Sequence, residues 1–194
     1  MNTAVTEAPS TTRIVLDRVR ISYPRLFVPA QFQGEGQEWY SAAFLIDPVK
    51  QRGLVRKLNE TAEAAANIMW PRGEWKLKKA LGAKAFWWPI REGDEKSDKR
   101  GYAGMVFVTA KTTAKPRVVD RALQTVLDTD DVYPGMYVNA AIQFKAFNKP
   151  GWGVGCYLQN VQLIGGGERL GGAPDPSEDF KPIDSGDEDE DLLS

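Results

Sequence analysis

Three consecutive runs decide the fold: M-Y-V-N-A-A-I-Q-F-K-A-F (Met136–Phe147), N-K-P-G (Asn148–Gly151) and W-G-V-G-C-Y-L-Q-N-V-Q-L-I (Trp152–Ile164). Two long apolar and β-branched runs flank a four-residue turn signal, which predicts the two arms of an antiparallel hairpin. A hairpin alone is marginal in water, so its apolar face needs further strands. The upstream chain offers them. In Arg13–Ser22 the residues Val15, Val19 and Ile21 alternate with Leu16, Arg18 and Arg20, giving one apolar and one largely basic face. Tyr23-Pro24 is expected to end that strand, because proline cannot donate to a ladder, and residues 27–38 read as a loop. Trp39–Ile46 reads as a central strand, Tyr102–Lys111 as another and Lys115–Val119 as a short one.

Asp47-Pro48 is a helix-start signal, aspartate as cap and proline at the first position, and the helix is expected to run to Met69. Leu54, Leu58, Ala62, Ala65 and Met69 then share one face, and Trp70–Gly73 stops it. Residues 120–131 fit either a helical turn or a loop, and Tyr133-Pro134-Gly135 is a turn. The inventory predicts a mainly β protein with one longer helix, an OB-fold-like five-stranded barrel over residues 13–170. A β-sandwich or a separate α+β layer also satisfies the pattern. Residues 1–12, small and polar, are expected to be a flexible N-terminus, and the glycines from Gly165 to Gly172 lead into a tail, residues 171–194.

The charge is split along the chain. Residues 174–194 hold nine acidic residues against Lys181 alone, a net of −8, whereas the whole chain is −1, which leaves +7 on residues 1–173. A run of like charges buries nothing and is expected to stay solvated and disordered. Such a tail serves solubility, binds a partner or folds back as a polyanion on a basic groove. The apolar Phe180, Leu192 and Leu193 favour a binding role, carried by Asp184, Asp187, Glu188, Asp189, Glu190, Asp191, Leu192 and Leu193.

Absent residues close off much chemistry. With no histidine there is no histidine base, triad or metal ligand, and the single Cys156 allows neither an internal disulfide nor a cysteine cluster. No P-loop motif occurs. No cofactor is expected. Glu74-Trp75-Lys76 and Asp94-Glu95-Lys96 resemble fragments of magnesium nucleases, but no partner aspartate lies on a preceding strand. No apolar run approaches a membrane span and the N-terminus lacks a signal-peptide pattern, so the expectation is a soluble cytoplasmic protein.

What the body does contain is cations interleaved with aromatic rings. A groove for single-stranded nucleic acid needs lysine or arginine along the phosphates and flat side chains under the bases. The expected set is Arg18, Arg20, Tyr23, Arg25, Trp75, Lys76, Lys78, Lys79, Trp88, Arg91, Lys99, Arg100, Tyr102, Lys111, Lys145, Lys149, Trp152 and Tyr157. Trp75, Trp88, Tyr102 and Trp152 are expected to be the exposed stacking platforms. Phe44, Phe86, Phe107 and Phe144 are assigned to the core.

Several short motifs then occur in order: Arg20-Ile21-Ser22-Tyr23-Pro24 with Leu26-Phe27 and Pro29, Leu45-Ile46-Asp47-Pro48 before a helix, Gly101-Tyr102, Tyr133-Pro134-Gly135, and G-G-G-E-R-L at Gly165–Leu170. In these the chain resembles, over about residues 13–180, a family of tailed-phage single-stranded-DNA-binding proteins. The resemblance implies an OB-fold that coats phage single strands in replication and recombination within the host cytoplasm. It also implies an acidic tail that competes with DNA for the groove and recruits phage or host replication proteins, such as a polymerase, helicase or primase. A single-strand annealing protein is the alternative within nucleic-acid biology. A magnesium nuclease and a protein-interaction adaptor are the alternatives outside it.

Overall fold

A computed structural model describes residues 12–32 and 35–171 of the chain. The strands are β1 (Arg13–Phe32), β2 (Glu35–Ile46), β3 (Ile90–Glu92), β4 (Val106–Thr112), β5 (Arg117–Val119), β6 (Tyr137–Phe147) and β7 (Gly153–Leu163). Helices α1 (Arg52–Met69) and α2 (Glu74–Ala80) lie between β2 and β3. The hairpin read from residues 136–164 is β6–β7, paired antiparallel from Val138↔Leu163 to Phe147↔Gly153. From it the sheet runs β6–β1–β2–β4, all antiparallel, and a parallel contact at Lys111↔Tyr157 joins β4 back to β7. That contact closes a five-stranded barrel, the OB-fold-like architecture, with β3 added beside β4 and β5 beside β7.

Closure depends on bending β1, which pairs with β6 through its first half and with β2 through its second. Its register shifts between Leu16 and Val19 against β6, and between Ser22 and Arg25 and again between Arg25 and Ala30 against β2. Arg18 and Tyr23, at φ 48° and 47°, sit at two of these irregularities. Bulges add the coiling that a barrel needs. Here the sequence expectation is corrected: Tyr23-Pro24 does not end the strand. Pro24 falls inside a bulge, where no ladder N–H is required of it, so residues 27–32 and 36–38 extend the arms of a hairpin.

The core is filled by alternate residues of the five barrel strands, among them Leu16, Ile21, Phe44, Val108, Ile142, Phe144 and Leu158, all at most 3% exposed. Helix α1 buries Leu58, Thr61, Ala62, Ala65 and Ala66, while Met69, expected on that face, stands 39% exposed at the helix end. Its start lies at Arg52, later than Asp47-Pro48 suggests. The Asp47 carboxylate instead accepts from the Val49 and Lys50 N–H groups, 2.9 Å each, capping a turn that leads into the helix.

Helix α2 was not expected. Gly73, at φ 78°, turns the chain into it, with Glu74 in its first turn and Lys78 and Lys79 in its last, as the helix dipole favours. Its single buried residue is Trp75, stacked on Trp88 at 5.7 Å and 3° and donating its indole N–H to Asn67 Oδ1 at 2.9 Å. Beside them Trp70 stacks on Trp152 at 4.7 Å and 14°. This aromatic layer joins the end of α1, α2 and the start of β7 to the barrel. The expected strand Tyr102–Lys111 begins only at Val106, because Tyr102–Met105 forms a turn closed by the Met105 N–H on the Tyr102 carbonyl. Residues 120–131 resolve into a turn capped by Asp120 and a short 3-10 turn at Thr129–Asp131.

Candidate nucleic-acid interface

In β4, Val108 and Ala110 point inward, and period-two alternation sends Phe107, Thr109 and Lys111 to the other face. Opposite them β6 and β7 contribute Phe147, Gly155 and Tyr157. The segment before β3 adds Trp87, and β2 adds Trp39. Together they line an open groove of about 700 Å³, rimmed by Arg91, Lys96, Lys111 and Lys149. Gly153 permits one wall. A Cβ there would lie 2.6 Å from the Trp87 Cβ and 2.8 Å from the Phe147 ring, so only glycine lets both residues pack this closely on β7.

Cations sit on ring faces throughout. Lys111 Nζ lies 4.4 Å from the Trp39 centroid, Lys145 Nζ 5.3 Å from Tyr157, and the Arg91 guanidinium 5.5 Å from Trp87. Lys96 Nζ lies 4.7 Å from Phe107 and 5.7 Å from Tyr102. Phe107 therefore lines the groove although it is only 1% exposed, as the core assignment expected, because Lys96 and Arg91 cover it. Beyond Phe107 the ring line continues through Tyr102, 5.3 Å away, to Tyr23, 6.5 Å further, where Lys99 Nζ sits 5.3 Å from the Tyr23 ring. Partial burial, then repulsion from Arg91 and Lys99, holds the Lys96 pKa below the ordinary lysine value. A site that destabilises its own cations favours an arriving anion.

The expected residues separate into three places, with Arg25 and the buried Tyr102 outside them. Arg91, Lys111, Lys145, Lys149 and Tyr157 line or flank the groove, and Tyr23 and Lys99 extend it. A second group belongs to the aromatic layer under α2, which corrects the expectation of four exposed stacking rings. Trp75 is 2% exposed and Tyr102 is 1% exposed, its hydroxyl bonded to Ser22 Oγ, so neither offers a free face. Trp88 and Trp152 are half-buried, covered by Lys79 at 3.5 Å and Lys78 at 4.4 Å respectively. The lysines crowding Trp75 in E-W-K-L-K-K-A suggested exposure, but Lys78 and Lys79, three and four residues on, share its helical face and lie over the aromatic layer, Lys79 Nζ 5.7 Å from the Trp75 centroid.

The third group lies at one end of the barrel. Arg20 donates to the Gly135 carbonyl at 3.1 Å and to that of Glu168, Arg100 pairs with the Glu168 carboxylate, and Arg18 covers Tyr137. Arg25 lies apart, on the exposed arm of β1 beside a small hollow with Phe27 and Val132. Trp39, Trp87, Lys96, Phe107 and Phe147 line the groove as well, though none stood in the expected set. The alternation that puts Phe107 on the face of Lys111, and Phe147 on that of Lys145, was the available signal.

The nuclease fragments have structural uses. Glu95 pairs with Arg91, and the Asp94 carboxylate accepts from the Gly104 N–H at 2.8 Å. Among the described residues no group of three metal-ligating side chains gathers. Burial pushes the Cys156 thiol pKa up, as befits a small apolar residue in β7. No helix among the described residues is long and apolar enough to cross a membrane.

A closed five-stranded barrel carrying an open groove of rings and cations is the architecture of an oligonucleotide-binding barrel. The chain belongs to the family described as Enterobacter phage Enc34, ssDNA-binding protein, whose sequence model matches residues 12–193. Putative protein p50 of Acyrthosiphon pisum secondary endosymbiont phage 1 is 30% identical over 185 residues, 94% of this chain and all of that one. Among solved structures, the single-stranded DNA-binding protein from bacteriophage Enc34 in complex with ssDNA superposes with a TM-score of 0.67 at 20% identity, covering 83% of this chain and 90% of that one. The single-stranded DNA-binding protein gp2.5 of bacteriophage T7 gives 0.55 at 16% identity, covering 88% and 98%. At such identities the superpositions speak for the fold, while the family rests on the sequence match.

Proposed function

We propose that this chain binds single-stranded DNA without sequence preference, bases stacking on Trp39, Trp87, Phe147 and Tyr157 and phosphates meeting Arg91, Lys96, Lys111, Lys145 and Lys149. The observation that carries the reading is the pairing of cations with ring faces in one open groove, on a barrel whose family is named for binding single strands. Every base has a π-face, so such a surface tolerates any sequence. The binding is stoichiometric rather than catalytic, and coating of phage single strands in replication or recombination is the role it serves.

The tail reading belongs to the same proposal. Residues 172–194, with every tail residue named above, lie outside the described structure. The chain reaches them from the groove's far end: Leu170 packs with Leu45, Tyr102 and Phe107, and its N–H donates to the Pro134 carbonyl at 2.9 Å. An acidic segment rooted there competes with DNA for the cations when DNA is absent and is released to recruit replication proteins when DNA binds. Titration of tryptophan fluorescence with unlabelled oligo-dT at several salt concentrations tests the binding. Quenching with log affinity falling linearly in log salt is expected. An unchanged signal and no retained oligonucleotide at low salt would refute it.

A further inference from the structure

The lysines of α2 have lost their expected stacking partners to the core, yet their position gives them another use. The Trp87 N–H donates to the Trp152 carbonyl at 2.8 Å, and the Val154 N–H returns to the Trp87 carbonyl at 2.9 Å. Trp87 stands 45% exposed in the groove. Trp88, its neighbour in the chain, lies under α2 beneath Lys79. Lys78 covers Trp152, the residue that accepts the hydrogen bond from Trp87. The groove wall at Trp87 is therefore hydrogen-bonded directly to the residue that Lys78 of α2 covers. At that same edge Lys149 lines the groove at the β6–β7 turn.

Between residues 72 and 84 the chain carries five cations, Arg72, Lys76, Lys78, Lys79 and Lys84, against Glu74 alone. Lys79 is held on the Trp88 face, and burial lowers its pKa despite the attraction of Glu63. The rings below are held between a lysine and a second ring, Trp88 between Lys79 and Trp75 and Trp152 between Lys78 and Trp70, so this surface offers cations rather than open ring faces.

We infer that α2 is a second nucleic-acid contact, a phosphate track that takes up the strand where it leaves the groove past Trp87 and binds its backbone without stacking its bases. The inference rests on the groove reading above and extends the site beyond the barrel. It makes the occluded length greater than the groove alone accounts for, and places the added affinity in a purely electrostatic, salt-sensitive component.

The test compares an oligo-dT of about 8 nucleotides, enough for a single barrel groove, with one of about 20. The variant is Lys76→Gln/Lys78→Gln, and the control is Lys76→Arg/Lys78→Arg, which keeps the charge. The expected result is unchanged affinity for the short oligonucleotide. For the long one, affinity drops on the order of tenfold at low salt and the salt slope falls by about 1.4, since each lost phosphate contact removes about 0.7. The arginine control retains both. A long-oligonucleotide advantage that survives the glutamine variant overturns the track while leaving the groove standing, as does an equal loss at both lengths. Failure of the wild-type chain to bind either oligonucleotide overturns groove and track together.

Discussion

Replacing Trp87 and Trp75 one at a time separates the groove from the core that sequence alone confused. Trp87→Ala removes a ring with one face in the groove but keeps the Cβ and carbonyl against which Gly153 packs. The fold is therefore retained, and the loss falls on binding. A stacked base is worth roughly 1 to 3 kcal/mol, so oligo-dT affinity should fall between about fivefold and about 150-fold. Trp75→Ala does the opposite. It empties a site that is 2% exposed and removes the stack with Trp88, at a cost of about 3 to 5 kcal/mol. In a domain of this size that lowers Tm by about 6 to 20 °C, while affinity measured well below the transition stays near wild type. Thermal melting followed by near-ultraviolet circular dichroism, with binding by fluorescence anisotropy on a labelled oligo-dT of about 8 nucleotides, too short to reach α2, reads both quantities. A Trp75→Ala protein that remains folded but loses affinity as much as Trp87→Ala would refute the assignment of these two rings.

Three further outcomes follow from the same geometry. Gly153→Ala places a methyl group within 2.8 Å of Trp87 and Phe147; it should cost about 1 to 3 kcal/mol in a urea titration and weaken oligonucleotide binding as the wall is pushed apart. Lys96 has its pKa lowered by burial and neighbouring cations, and a bound phosphate restores it, so binding takes up a proton at alkaline pH. Affinity for oligo-dA, full below the free-protein pKa, should fall as pH rises through it, and Lys96→Met should remove that component. Ending the chain at Gly171 should tighten oligonucleotide binding, most at low salt; unchanged affinity would leave the tail a recruiting arm only.

The barrel was legible where a strand's pattern matched its surroundings. The β6–β7 hairpin and the short β5 alternate buried with less buried residues, β2 reads as a continuous apolar run that is buried throughout from Ala42 to Ile46, and Asn148–Gly151 announces the turn between β6 and β7. The path of β1 was not legible, because a bulge converts Pro24 from a terminator into a tolerated residue, and bulges depend on pairing with β2 and β6. Helix α2 buries one residue in seven, so its hydrophobic periodicity is too weak to read. That also explains the site errors. Charged neighbours in sequence made Trp75 look exposed, while helical geometry turned it inward. Trp39, within an apolar run, looked central, yet its ring faces Lys111 across β2 and β4. Arg91, Lys111 and Lys149, expected from the sequence and lining the candidate groove, lie on strands or turns where the side opposite the core is the groove itself.

The most direct test of the groove is fluorine NMR of the chain labelled with 5-fluorotryptophan, whose six tryptophans give one resonance each. Trp39→Phe and Trp87→Phe assign the two groove signals. On adding a short oligo-dT at low salt, these two signals are expected to shift most and to return as salt is raised, while the signals of Trp70, Trp75 and Trp88 hold their positions. Shifts concentrated on Trp75 and Trp88, with Trp39 and Trp87 unmoved, would place the strand elsewhere and contradict the account.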